Sequence, residues 1–153
     1  MRDESNLNRY SDTDLSEYIP FSENNKLVKI ESPTFHVESE HPKMYGAFAL
    51  YPVYAAAVEA TYHNVEKLAF GLEPRHWDTC VTAGTSPEAF EMLLYDEVQW
   101  RSDMIFMLQP SEIGELVIIS RKDNTNPNVQ RLTDWFLSPQ GQELVQDVGY
   151  VPL

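Results

Sequence analysis

Three short apolar runs that do not alternate limit what this chain can fold into: Met44 to Ala49, Met104 to Leu108 and Leu116 to Ile119. A half-buried strand alternates apolar and polar residues, whereas a strand covered on both faces is apolar throughout. The spacing between these runs is helical. Val53, Ala56, Ala57, Ala60 and Val65 predict a helix over Val53 to Leu68, with Pro52 where a first turn tolerates it. Trp77 to Ala83 reads as another strand. Thr85-Ser86-Pro87-Glu88 combines a hydroxyl, an early proline and a first-turn acid, which starts a helix through Phe90, Leu93 and Leu94. Asn128 to Leu137 places Val129, Leu132, Trp135 and Phe136 on one side of a helix. Ser138-Pro139 opens a last helix over Gln140 to Val148, which Gly149 can end.

The order β-α-β-α-β-β-α-α implies an α/β fold: a mostly parallel sheet with helices on both faces. Its sheet strands are expected near 44–48, 78–83, 104–108 and 115–120, with helices near 52–68, 86–95, 128–137 and 140–148. In such sheets ligands bind beyond the carboxyl ends of the strands. The loops there are Tyr45–Tyr51, Ala83–Pro87 and Gln109–Gly114.

Residues 1–42 differ from residues 43–153. They carry nine acids and four bases with scattered apolar residues, which reads as an acidic arm packed on one domain. Lys26 to Ile30 and Thr34 to Glu38 are its expected short strands. The 153 residues suit a single domain with such an arm. The net charge of −13 would repel phosphate backbones, so nucleic acid is not an expected partner. The opening MRDESNLNRYSDTD is polar, unlike a signal peptide, and no apolar run reaches the length of a membrane span. Cys80 is the one cysteine, so neither an internal disulfide nor a cysteine zinc site can form; inside an apolar strand it is expected to be an inert buried thiol.

The three loops and the chain's end carry a resemblance. MYGAFALYPVYAAAVEATY (Met44–Tyr62) resembles the opening strand, loop and helix of the phosphate-binding proteins of ABC transporters. TSPEAF (Thr85–Phe90) is similar to that family's second loop and helix, and DMIFMLQPSE (Asp103–Glu112) to its third strand and loop. The ending Thr133–Leu153, with its strings SPQGQ and GYVPL, closely resembles the family's C-terminal helices. The resemblance covers residues 43 to 153 and implies one lobe of a periplasmic-binding-protein-like fold, a non-enzymatic solute-binding role and an extracytoplasmic setting.

The departures bear on the expected function. Family members close two lobes on phosphate, the second lobe being inserted between the third strand and the return strand. Here Glu112-Ile113-Gly114-Glu115 joins those strands directly, so the second lobe is missing. Phe48 stands where the family offers a threonine at the first helix, and a phenyl ring donates no hydrogen bond to an anion. Thr85, Ser86 and Ser111 keep their hydroxyls, and Glu112 matches an acid that accepts a phosphate proton. These are the candidate anion-binding residues, since free N–H groups and the helix dipole favour anions at a helix N-terminus. The simpler role of Thr85 or Ser86 is to cap its own helix. The expectation is weak or lost phosphate binding, with no cofactor.

Other chemistry finds little support. His36, Glu38, Glu40 and His41 match no tight metal signature and read as solvated surface. There is no G-x-S-x-G elbow, P-loop, HExxH or dinucleotide fingerprint, so an enzyme is not expected. The alternative function is a protein–protein interaction or dimerisation module. Loss of the second lobe would leave Phe48, Leu50, Tyr51, Leu108 and Ile113 facing outward for self-association or another protein, unless Phe21, Leu27 and Phe35 of the arm cover them.

Overall fold

The apolar runs pair side by side, as their lack of alternation requires. The computed structural model describes residues 15–70, 79–95, 101–108 and 116–150. Strands β1 (Met44–Ala47), β2 (Ala69–Phe70), β3 (Thr79–Gly84), β4 (Met104–Leu108) and β5 (Leu116–Ile119) form one sheet in the order β2-β3-β1-β4-β5. β1 pairs in parallel with β3 and β4, and β2 with β3; only β5 runs antiparallel, against β4. Met44 lies level with Val81 and Met104, and Tyr45 with Thr82 and Ile105. Helices α1 (Tyr51–Thr61), α2 (Ser86–Leu94), α3 (Pro127–Leu137) and α4 (Pro139–Val148) cover both faces, giving the expected α/β class.

Local chemistry sets the helix ends. Asn126 accepts the Asn128 N–H and Ser138 the Gly141 N–H, capping α3 and α4. Gly149 ends α4 at φ 113°, a left-handed conformation open to glycine at little cost, and Tyr150 N–H then returns to the Val145 carbonyl.

Strand pleating splits the interior into two unequal parts. Met44, Val81, Met104 and Phe106 join α1, α3 and α4 in the main core, while Tyr45 and Ile105 meet Ala89 and Leu93 of α2 in a small one. Gly46 lets α1 approach: a Cβ there would lie 2.7 Å from the Tyr54 ring and 2.8 Å from the Phe106 carbonyl oxygen. Tyr54 accordingly stacks on Phe106 at 4.7 Å, and its hydroxyl donates to the Thr82 carbonyl at 2.6 Å. Eight of the eleven residues of α1 are buried, so it is a helix covered on every side.

The arm supplies one of those sides. Leu15, Leu27 and Val37 belong to the main core. Glu59 of α1 accepts from the Phe21 N–H (3.0 Å), Asn25 Nδ2 (2.6 Å) and Lys29 Nζ (2.5 Å). Burial works against the Glu59 charge, but these three donors outweigh it and hold the carboxyl below its ordinary range. Further along, Gln140 of α4 accepts the Thr34 N–H and donates to the Ser32 carbonyl, and Arg131 lies over the Phe35 ring at 4.8 Å.

Several expectations need correction. The first helix ends at Thr61, not Leu68, because Tyr62 turns extended to pair with Val37 and Asn64 adopts φ 56°. The arm forms neither expected strand; Lys26 to Ile30 is irregular, and of Thr34 to Glu38 only Val37 makes a bridge. Side-chain hydrogen bonds take the place of a ladder there. Leu116 to Ile119 is not buried on both faces: as an edge strand it buries Leu116 and leaves the rest half-covered. The second expected strand begins at Thr79 among the described residues, with Trp77 lying outside them. Nor does the first loop face outward. Leu50 and Tyr51 are fully buried, and Phe48 packs against the main core from a short 3-10 turn, Phe48–Leu50. Of the arm residues expected to cover it, Leu27 enters the same core as Leu50 and Tyr51, Phe21 meets the Phe70 ring and Phe35 lies under Arg131.

Candidate functional site

At the carboxyl end of β3 the chain passes through Gly84 and Thr85 into α2. Thr85 is the N-cap, exposed, at φ −85° and ψ 162°. Its side chain accepts the Glu88 N–H at 3.3 Å, and the Glu88 carboxylate accepts the Thr85 N–H at 3.1 Å. The same Oε2 of Glu88 accepts the Tyr45 hydroxyl at 3.1 Å, bringing in a side chain from the centre of the sheet. Gly84 makes room for this cluster, since an added Cβ would collide with both the Tyr45 hydroxyl and the Glu88 carboxylate.

The cluster alters what this helix end can bind. A helix N-terminus attracts anions through N–H groups that lack intrahelical partners. Here Thr85 and Glu88 spend their N–H groups on each other, and Pro87 has none to give. The negative charge the dipole favours is supplied by Glu88 itself. An incoming anion would have to displace a carboxylate and then sit beside it.

The remaining candidates are placed as follows. Ser86 is half-buried in the first turn of α2. Ser111 and Glu112 lie outside the described residues, as do Ile113 and the third loop. Phe48 fills space beside the main core, and the Tyr150 hydroxyl donates to the Ala49 carbonyl at 2.6 Å, tying the chain's last described turn to the first loop. Of the expected set, the structure brings Thr85 and Ser86 together on one helix end.

Elsewhere the titratable groups serve packing. Cys80 is buried, its sulfur 3.4 Å from the Pro42 carbonyl, and burial pushes the thiol up to about 12, so it stays protonated near neutral pH. His36 stacks on His63 at 4.2 Å at the exposed edge where the arm docks. Among the described residues no group of three or more side chains could hold a metal ion.

Sequence reasoning missed a polar cavity of about 510 Å³ at the opposite, amino end of β1 and β4. Asp103 accepts the Lys43 N–H and Asn124 Nδ2 there, and Asn126 Nδ2 donates to the Glu40 carbonyl. Arg121 grips Asp123 through two bonds, which hold the Asp123 carboxyl down at about 2. The string Asn124-Thr-Asn-Pro-Asn128 is the signal that could have pointed to it, since Asn side chains bond readily to nearby backbone. Its polar groups largely satisfy one another and join the arm to the core. Comparison with protein-family models, curated proteins and solved structures returns no match for this chain.

Proposed function

We propose that this chain is a non-enzymatic, one-lobe domain of the solute-binding-protein kind, related to the phosphate receptors, in which tight anion binding has been given up. The observation that carries the reading is the Glu88 carboxylate, bonded to the Thr85 N–H and the Tyr45 hydroxyl where an anion would dock. Phe48, packed on the core in place of a hydroxyl at the first loop, supports it from a second position. Two-lobed sites gain affinity by surrounding the anion with donors and excluding water; one lobe leaves the far side wet. The net charge of −13 adds long-range repulsion.

Titration calorimetry with inorganic phosphate tests this. The expected result is a dissociation constant of about 1 mM or weaker, worth no more than roughly 4 kcal/mol. Glu88→Gln, which keeps the hydrogen-bonding shape and removes the charge, is expected to tighten binding at Thr85 and Ser86. A micromolar constant for the unaltered chain would overturn the proposal.

A further inference from the structure

Among the described residues, the sheet's two faces are covered very differently. Five strands about 4.8 Å apart span roughly 19 Å, while one helix covers about 10 Å. On one face the described residues supply α2 alone. Ala89 and Leu93 point into the small core, and Met92, Met107 and Ile119 are only half-buried around it. About 100° around the helix from Ala89, the next stripe is Pro87, Phe90 and Leu94, at i, i+3 and i+7. Phe90 is 40% and Leu94 60% exposed, and Tyr95 at the helix end is 49% exposed. Three of the five large exposed apolar residues among those described thus fall within six consecutive positions.

Charge selects what fits. Of the two acids of α2, Glu88 is held in the Thr85 cap and Glu91 is exposed beside the stripe, and the helix has no basic residue. At its carboxyl end the negative pole of the dipole is already met by Arg101, whose Nε donates to the Tyr95 carbonyl. A second copy would bring the same acids and another −13 of net charge. A segment that pairs apolar side chains with flanking Lys or Arg meets both the stripe and its rim.

We propose that the Pro87–Phe90–Leu94 stripe of α2 is a docking surface for a basic amphipathic helix of another protein. The site lies on the outer side of α2, apart from the Thr85 cap, and does not depend on whether phosphate binds. The probe is a synthetic helical peptide of Leu and Lys with one apolar face, titrated into the full chain at about 0.15 M salt. Its control is a scrambled peptide of the same composition, which keeps the charge and loses the face. The chain is expected to bind the patterned peptide at micromolar strength and the scrambled one about tenfold more weakly. Phe90→Asp with Leu94→Asp, though more acidic, is expected to lose about tenfold for the patterned peptide; Leu94→Asp alone, at the most exposed position, about threefold. Equal binding of the two peptides, undiminished binding by the variants, or no binding would each overturn the proposal. So would a native dimer that the double variant turns into monomer, since the stripe would then belong to a second copy.

Discussion

The two faces of the sheet show how differently one sheet can be covered. On the α1 face, three helices and the arm enclose Tyr54, Phe106, Phe136 and Leu132, each at most 1% exposed. On the α2 face, the cluster has four buried residues among those described. The thick face holds the fold together, and the thin face leaves apolar side chains in solvent. The difference arises from sequence: α1 carries a single charge, Glu59, which the arm meets, so it demands cover on nearly every side, whereas α2 has one buried edge.

Truncation at the centre of each face gives the largest expected contrast. Phe106 stacks with Tyr54 and touches Phe136, with ring centroids 4.7 Å and 5.4 Å away. Phe106→Ala is expected to cost about 3–5 kcal/mol, since close packing on all sides prevents collapse into the void. Leu93→Ala, in the small core, should fall near the low end of the Leu→Ala range, about 2–3 kcal/mol, because its surroundings are free to relax. Urea denaturation measures both. Equal losses would remove the asymmetry.

Much of the fold was legible in the sequence, though the unequal covering of its faces was not, and the reasons are physical. The unalternating runs located β1, β4 and β5, and Thr85-Ser-Pro-Glu88, Ser138-Pro139 and Gly149 marked helix ends where the structure has them. Those signals are local, so a single sequence carries them. The helix end at Thr61 was not legible, because it depends on Val37 pairing with Tyr62 from 25 positions away. Nor was β2, whose two residues present no periodicity. At the candidate site, the Thr85–Glu88 spacing already indicated a cap, whereas the Tyr45 hydroxyl reaching the same carboxylate required the register of β1 against β3.

The arm's latch offers an intermediate effect that sharpens the role of the thick face. Glu59 has a depressed folded value, so its contribution to stability is fully present above its ordinary value of 4.5 and is lost as pH falls through the folded value. Glu59→Gln keeps part of the hydrogen bonding and removes the charge, at an expected cost of about 1–2 kcal/mol near neutral pH. The gap between the native and variant urea midpoints should then close below about pH 4.5. A gap that stays constant into acid would mean that the carboxylate's charge does not hold the arm.

The smallest effect is the most pointed, because it compares neighbours. Leu93 and Leu94 are consecutive, yet one is 4% and the other 60% exposed. Leu94→Gln exchanges two residues of similar helix propensity, so little is lost from the backbone. Most of the Leu94 side chain is already in water, and surface changes of this kind usually stay within about 0.5 kcal/mol. The expected outcome is therefore an unaltered urea midpoint beside a clear loss for Leu93→Ala. A cost for Leu94→Gln as large as that of Leu93→Ala would place Leu94 against another part of the chain. The stripe would then be occupied from within, and the thin face would be no thinner than its opposite.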